Sequence, residues 1–217
     1  MPSLAENIAG LKKAAGKTQI VLVTKTVPAE KIQEALACGM RDFGENRVQE
    51  LLEKQALLPA DIRWHMTGHL QTNKVKQVVG RVALIHSLDS LELAEEIERQ
   101  AGLQNIKSVP CLIQVNSSGE VSKSGLKPEA VEKFAGDLKT KAIEIQGLMT
   151  IGPLTEDAGK IRQAFRAVRE LQQSLRKKFP GKNWDTLSMG MSSDYKIAIE
   201  EGSTMIRVGT AVFGPRP

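Results

Sequence analysis

The sequence predicts an α/β protein folded as a single-domain (β/α)8 TIM barrel, and three observations support that prediction. Short runs of consecutive apolar residues recur along the chain, stretches with helical periodicity separate them, and no Pro/Gly/Ser-rich linker divides the 217 residues. A doubly wound open sheet is the alternative, but the Gly-rich dinucleotide fingerprint that favours it is missing. We therefore expect residues 1–217 to form one barrel domain.

Eight strands are predicted from the apolar runs, of which five are clear and three are weaker. The clear runs are 19–24, 82–87, 109–115, 143–149 and 205–213. The weaker runs are 41–44, 62–67 and 184–189. Uninterrupted apolar runs are typical of parallel strands, which are buried on both faces, and eight such strands match a closed barrel.

The helices are predicted from apolar residues spaced by three or four positions. Leu4, Ile8 and Leu11 form such a stripe before the first strand, which predicts an extra N-terminal helix. A longer stripe over 161–175 predicts a long amphipathic helix. Three helix-start signals also stand in the sequence: Pro28, Pro128 and Thr155–Glu156–Asp157. Every strand except the last is expected to lead into a helix.

Composition and charge exclude several classes of protein. The net charge is +5, but basic and acidic residues are interspersed, so nucleic-acid binding is not indicated, whereas a small anionic ligand fits. No run approaches the roughly 18 apolar residues of a membrane span, and the N-terminus lacks a signal-peptide core. Cys38 and Cys111 are isolated and are expected to be reduced thiols. These features predict a cytoplasmic protein that does not associate with membranes.

Lys25 directly follows the first predicted strand, within "IVLVTKTVPAEKI" (20–32). The C-terminal strand ends of such a barrel carry the active site. A lysine held among apolar side chains loses hydration, which favours its neutral amine and hence a Schiff base with a carbonyl. Its position alone favours a lysine that snorkels to solvent, so the choice between the two depends on what lies near it.

Two later turns supply features that bind anions. "SMGMSSD" (188–194) ends a strand and opens a helix with small residues, so backbone N–H groups and the helix dipole can approach a phosphate. "RVGT" (207–210) offers a second backbone approach and a hydroxyl. In many barrels a phosphate lies near the loops after strands seven and eight, where both turns fall. Together with Lys25 they predict a site for a phosphorylated carbonyl compound.

A metal site is not predicted. His65 and His69 are four residues apart, which suits a metal only if both share one helix face with a carboxylate ligand. Gly68 and the apparent strand end argue against that helix. His65 is instead expected to pack in or near the barrel with its ring hydrogen-bonded.

Seven segments of the sequence resemble those of the pyridoxal phosphate homeostasis proteins. They are "VTKTVP" (23–28), "FGENRVQE" (43–50), "WHMTGHLQTNK" (64–74), "SKSGL" (122–126), "GLMTI" (147–151), "SMGMSSD" (188–194) and "GSTMIRVGTAVFG" (202–214). They span nearly the whole chain in the family's order. The resemblance implies a single-domain barrel like the N-terminal domain of alanine racemase, with a pyridoxal 5'-phosphate site of fold-type III.

The resemblance also assigns roles to individual residues. It implies that Lys25 forms the internal aldimine, and that Asn46 and Met191 line the ring pocket. Arg207 would face the pyridine nitrogen, and because a cationic partner disfavours protonation there, the cofactor would be a poorer electron sink.

The phosphate is assigned to the late turns by the same resemblance. The residues are Gly190, Ser192, Ser193, Gly209 and Thr210. Lys123, in "SKSG", is a second lysine of the family, and two interpretations stay open for it: a transient cofactor contact or a solvated loop residue.

No catalytic residue is predicted. A racemase with this barrel needs a second base, a tyrosine delivered across a dimer by a further C-terminal β domain. The single tyrosine here, Tyr195, lies beside the phosphate turn, and the sequence ends at Arg216–Pro217 soon after the eighth strand.

We therefore expect a monomeric, non-catalytic carrier that buffers or delivers pyridoxal phosphate and so affects amino-acid and keto-acid metabolism. Apo pyridoxal phosphate-dependent enzymes are the candidate recipients. The alternatives are a pyridoxal phosphate-dependent racemase or decarboxylase that acts through the same aldimine, and a class I aldolase that uses Lys25 on a sugar phosphate.

Overall fold

Eight parallel strands close into one barrel in the order of the sequence, with β8 paired to β1. A computed structural model describes residues 2–120, 123–139 and 141–215. The strands are β1 (Gln19–Val23), β2 (Asp42–Glu45), β3 (Arg63–Met66), β4 (Leu84–Leu88), β5 (Val109–Val115), β6 (Ile143–Thr150), β7 (Thr186–Ser188) and β8 (Met205–Val208). The predicted TIM-barrel fold is therefore confirmed.

Helices connect the strands on the outside of the barrel. They are α1 (Leu4–Ala15), α2 (Ala29–Ala37), α3 (Val48–Leu57), α4 (Leu91–Leu103), α5 (Pro128–Asp137), α6 (Ala158–Lys178), α7 (Tyr195–Glu200) and α8 (Thr210–Phe213). The first of them, α1, precedes β1 and confirms the predicted extra N-terminal helix. None of the described helices is long and apolar enough to cross a membrane.

The predicted helix starts are confirmed by the local geometry. Pro28 is the N-cap of α2, and Pro128 is the first residue of α5, where its missing N–H leaves no hydrogen bond unmade. The Asp157 carboxylate caps α6 by accepting hydrogen bonds from the N–H groups of Gly159 and Lys160.

Two connections differ from the prediction. After β3 the chain forms a 3-10 helix, Thr72–Gln77, where an ordinary helix was expected. The predicted strand 205–213 ends at Val208, and α8 follows it although no helix was expected after the last strand. Both stretches are too short for apolar periodicity to predict the local conformation. Each contains a buried valine, Val75 or Val212, whose packing contributes to the conformation that forms.

The barrel interior is only partly apolar. Val21, Leu84 and Leu112 pack together with Met149 and Met205 in one small cluster. Because these residues come from strands that are not all neighbours, they can meet only inside the barrel. The larger apolar clusters lie between the strands and the surrounding helices. The rest of the interior therefore has room for the polar side chains described below.

Candidate functional site

A cavity of about 310 Å³ opens at the C-terminal ends of the strands. Its walls come from β1, β8 and the segments that follow β2, β3, β6 and β7. The lining residues are Val23, Asn46, Thr67, Ile151, Met191, Ser192, Ser193, Arg207, Gly209 and Thr210. Seven of the predicted site residues therefore line one cavity, whereas Lys25 and Gly190 do not. Val23, Thr67 and Ile151 were not predicted.

The turn after β7 presents free N–H groups to this cavity. The backbone N–H groups of Ser192, Ser193 and Thr210 have no acceptor within the described part of the chain. The Ser192 hydroxyl oxygen accepts the N–H groups of Gly209 and Ala211, each at 3.2 Å. The donors belong to two loops that line the same cavity, and unpaired backbone N–H groups are what an anion site needs.

The shape of this turn depends on Gly190 and Asp194. Gly190 has a φ of +99°, and a Cβ there would come within 2.6 Å of the Ala198 Cβ. The buried Asp194 accepts the Met191 N–H at 2.5 Å. Burial raises the pKa of Asp194 against the lowering effects of that bond and of the Arg207 charge. A side chain at position 190 would therefore force the turn away from α7.

Arg207 is held in one orientation at the floor of the cavity. Its Nη1 donates to the carbonyl and hydroxyl oxygens of Ser188, both at 2.8 Å, and its Nη2 donates to the Thr150 carbonyl at 2.8 Å. Burial lowers the pKa of Arg207 to about 10, while Asp194 opposes that shift. The guanidinium is therefore still cationic at neutral pH and can only donate hydrogen bonds.

Another wall of the cavity is formed by the loops after β2 and β3. The Thr67 hydroxyl donates to the Asn46 side-chain oxygen at 2.9 Å, which fixes the amide of Asn46. Gly68 lies so close that a Cβ would be 2.4 Å from the Asn46 carbonyl oxygen. These two loops can meet only because position 68 has no side chain.

Lys25 lies in the turn after β1, partly buried and two residues beyond Val23. It does not line the cavity, but the residues on either side of it are firmly held. The buried Lys54 ammonium donates to the Thr24 carbonyl at 2.6 Å and to Glu45 at 2.6 Å. The Glu50 carboxylate accepts the Thr26 N–H at 2.8 Å.

The backbone of this turn is also unusual. Thr26 has a φ of +62°, which is uncommon for a β-branched residue and implies local strain. Within the described residues the Lys25 amine has no ion-pair partner within 4.0 Å. An anchored turn therefore carries a lysine without an ion-pair partner among the described residues.

Several other residues of interest lie away from the cavity. Lys123 donates to Glu120 at 2.6 Å and to the Gly152 carbonyl at 2.8 Å, so it is not simply a solvated loop lysine. Ser122, which begins the segment with Lys123, lies outside the described residues.

Tyr195 packs against the apolar cluster between barrel and helices. Its hydroxyl does not belong to the cavity wall.

The histidines confirm one prediction. The buried ring of His65 lies 3.0 Å from Asp42 and 3.0 Å from His86, so it is hydrogen-bonded as expected. His69 is exposed and lies near Asp89. Among the described residues no group of three or more potential ligands is arranged to hold a metal ion.

Cys38 and Cys111 are free thiols, and burial raises the pKa of Cys111.

Taken together, the cavity suits a small, flat, phosphorylated molecule. Unpaired N–H donors lie in two of the lining loops, Arg207 provides a fixed cation, and Lys25 follows the β1 wall two residues beyond Val23. Thr150, Ser188 and Asp194 lie behind this surface in segments that the sequence singled out, but their supporting contacts were not predicted. Only the register of β6 and β7 against β8 brings Thr150 and Ser188 to Arg207.

Known proteins share the sequence and the fold. Residues 1–217 match the family described as alanine racemase, N-terminal domain. The pyridoxal phosphate homeostasis protein of Aquifex aeolicus (strain VF5) is 47% identical over 89% of this chain and 85% of its own. The protein of that name from Pseudomonas aeruginosa is 41% identical over 100% of this chain and 97% of its own.

Solved structures show the same relationships. PipY of Synechococcus elongatus PCC7942 with pyridoxal phosphate bound is 38% identical with a TM-score of 0.89, over 98% of this chain and 100% of PipY. An alanine racemase of Clostridium difficile 630 is 16% identical with a TM-score of 0.79, over 99% of this chain and 56% of the racemase. The second likeness is one of fold alone.

Proposed function

The chain belongs to the pyridoxal phosphate homeostasis proteins, within the family of the alanine racemase N-terminal domain, and from that premise we propose that it binds pyridoxal 5'-phosphate as a carrier. In this proposal Lys25 holds the cofactor as a Schiff base, and the protein buffers or delivers it. Amino-acid and keto-acid metabolism is affected through the enzymes that receive the cofactor. The PipY structure with pyridoxal phosphate bound supports the choice of ligand.

The observation that carries the proposal is the set of unused N–H donors at the cavity. The N–H groups of Ser192, Ser193 and Thr210 fit the phosphate group, and the Gly209 and Ala211 amides lie beside them. Asn46 and Met191 flank the space that a flat ring needs. The residues present therefore fit this cofactor.

Arg207 fits the ring-nitrogen end of the cofactor. When bound, pyridoxal phosphate supplies an electrophilic carbonyl and an electron-withdrawing ring. Because Arg207 is a donor-only cation, it favours an unprotonated ring nitrogen, which limits that electron withdrawal. The amine of Lys25, unpaired in the described part of the chain, stands on an anchored turn and is suited to reversible attachment.

A carrier role is supported by the chemistry of the cavity wall. Arg207 is the only titratable side chain among the described lining residues, and as a cation it cannot accept a proton. The described wall therefore offers no base, in addition to Lys25, that could take a proton from a substrate carbon. Tyr195, the residue that could have served, is packed against the core. We further propose that the protein is a cytoplasmic monomer and that apo pyridoxal phosphate-dependent enzymes are its recipients.

Binding is tested by the absorption spectrum of the purified protein after addition of pyridoxal phosphate. We expect a visible band that borohydride removes, with the reduced cofactor found by mass spectrometry on the peptide containing Lys25. Lys25→Ala should lack the band, while Lys31→Ala, at an exposed lysine of α2, should keep it. A colourless protein that does not retain the cofactor would overturn the proposal.

Carriage is tested separately from binding. The loaded protein should restore an apo enzyme faster than the same concentration of free cofactor, and equal rates would overturn delivery. Incubation with alanine or serine followed by chiral chromatography tests the racemase alternative. Steady racemisation that Lys25→Ala abolishes would replace the carrier role by an enzymatic one.

A further inference from the structure

A chain of buried polar side chains crosses the barrel interior below the cavity. The Ser188 hydroxyl, which accepts from Arg207 at 2.8 Å, lies 3.1 Å from the His86 Nδ1. The His86 Nε2 lies 3.0 Å from the His65 Nδ1, and the His65 Nε2 lies 3.0 Å from the Asp42 Oδ1. All five side chains are buried.

The chain runs from one end of the barrel to the other. Ser188 is the last residue of β7, whereas Asp42 is the first residue of β2. His86, on β4, bonds to Ser188 on β7, and these strands are not neighbours, so the bond must pass through the interior. At its lower end Asp42 also pairs with the exposed Arg63, at 2.5 Å.

When both imidazole rings are neutral, the two ends of the chain fix the direction of every bond in it. Arg207 can only donate, and the Asp42 carboxylate can only accept. Ser188 accepts from Arg207, so its single proton is available for the His86 Nδ1. His86 then carries its proton on Nε2 and donates to the His65 Nδ1. His65 likewise carries its proton on Nε2 and donates to Asp42. Each link then holds one proton.

The opposite direction fails unless a proton is added. If His86 donated from Nδ1 to Ser188, its Nε2 would have to accept from the His65 Nδ1. A neutral His65 would then face the Asp42 carboxylate with an unprotonated nitrogen, placing two acceptors 3.0 Å apart. Complete burial, the largest effect, keeps the pKa of His86 well below its usual range, and the nearby Arg207 charge acts in the same direction, so His86 stays neutral.

We propose that His86, supported by His65 and Asp42, is a positioning residue that orients the Ser188 hydroxyl as the acceptor for Arg207, and so sets how Arg207 meets the ring nitrogen of the cofactor. This inference rests on the proposed function only in its last step. The direction of the chain is a property of the protein without any ligand. His86 and His65 do not line the cavity, so they act through Ser188 and Arg207.

The first test uses the protein without cofactor. The sequence has three histidines, so long-range proton–nitrogen NMR correlation can assign every ring. The proposed direction requires that His65 and His86 each carry a proton on Nε2 and none on Nδ1, with the exposed His69 as the internal reference. A proton on the Nδ1 of His86 would overturn the proposed direction, whether or not the protein binds pyridoxal phosphate.

The second test separates the two bonds of His86 by substitution. In His86→Asn the side-chain oxygen can take the place of Nδ1 and still accept from Ser188. In His86→Gln the amide nitrogen can take the place of Nε2 and keep only the bond to His65. We expect His86→Gln to weaken binding of pyridoxal phosphate by about tenfold and to move its absorption maximum, and His86→Asn to stay within about twofold of the parent.

Ser87→Ala is the matched control for these variants. Ser87 is the next residue of β4, is fully buried, and has a hydroxyl without a partner among the described residues. It should leave both the affinity and the spectrum unchanged. If His86→Gln behaves like Ser87→Ala, the positioning role is wrong. If the parent protein does not bind the cofactor, the proposed function is wrong, and the NMR result alone decides the direction of the chain.

Discussion

Strand β2 carries a buried carboxylate at each end, and the two serve opposite sides of the site. Asp42, at its start, ends the polar chain that leads through the barrel to Arg207. Glu45, at its end, bonds to Lys54 and Thr24 beside the turn of Lys25. Both are almost fully inaccessible to solvent, yet their pKa values are shifted in opposite directions.

The difference lies in how completely each charge is satisfied. Burial raises the pKa of Asp42, but hydrogen bonds from His65 and Arg63 outweigh it and lower the pKa to about 2. For Glu45 burial prevails over Lys54 and Thr24, so its pKa is raised. The Glu45 Oε2 has no partner within the described residues.

This comparison separates a fixed end of the site from an adjustable one. Arg207 has each of its bonds assigned and sits on a closed polar chain. Lys25 stands on a turn whose support includes a strained Thr26 and an incompletely satisfied carboxylate. A carrier needs both, because permanent donors hold a ligand while its covalent attachment is made and broken.

Removing the cation beside Glu45 should have the largest effect. Lys54→Met leaves Glu45 buried and unpaired, which typically costs about 3–5 kcal/mol of unfolding free energy. Urea denaturation measures the loss. Lys31→Met is the control, because Lys31 forms an exposed pair with Glu34 and should change stability little. If the two substitutions cost the same, the support of the Lys25 turn is not electrostatic.

At the fixed end, Arg207→Lys should cost about 2–3 kcal/mol, because one ammonium cannot replace the fork that reaches both Ser188 and Thr150. Denaturation of the apo protein measures this loss, and titration with pyridoxal phosphate should show weaker binding. Arg41→Lys, at the exposed pair with Asp61, is the control. Unchanged stability in Arg207→Lys would mean that the buried carbonyls do not need the guanidinium.

The loss of folding stability at low pH should depend on Asp42. Because its pKa is lowered from 3.8 to about 2 in the folded state, its contribution is present above about pH 4 and is lost as pH falls toward 2. The expected loss is on the order of 2 kcal/mol. Asp42→Asn should flatten stability over this range, unlike Asp61→Asn, a variant of an exposed carboxylate. If Asp42→Asn loses stability as steeply as the parent when the pH falls, another group causes the loss.

Glu45 should act in the opposite direction with pH. Its raised pKa means that protonation favours the folded state, so its unfavourable contribution is relieved as pH falls through that raised value. The stability curve of Asp42→Asn should therefore retain a shallow rise on acidification. The double variant with Glu45→Gln should lose this rise, and its persistence would contradict the assignment.

The smallest change in stability is expected in the turn after β7, which contains Ser192. Ser192→Ala removes the acceptor shared by Gly209 and Ala211 and should cost about 1 kcal/mol in the apo protein, as loss of a helix cap does. Ser193→Ala, whose exposed side chain is not part of this bond, is the control for thermal unfolding. If both variants melt alike, the Ser192 hydroxyl does not hold the two loops together.

The sequence by itself determined the architecture and the composition of the cavity. Uninterrupted apolar runs specify strands buried on both faces, and eight of them leave a closed barrel as the solution. Family segments then placed Asn46, Met191, Ser192 and Arg207, which the structure brings to one cavity. These properties are local, because each follows from residues within one run or one turn. The boundary at Val208 was missed because a short apolar run does not distinguish strand from helix.

Only the tertiary structure decided how the charged groups of the site are supported. Glu45 meets Lys54 across a strand and a helix, and no spacing rule for a single element joins positions nine residues apart. The bond from His86 to Ser188 links residues 102 positions apart across the barrel. Such partners are selected by barrel closure and strand register, which place side chains from distant segments in one interior. The position of His65 near a predicted strand end indicated that its ring would be hydrogen-bonded, but only the closed barrel shows to which groups.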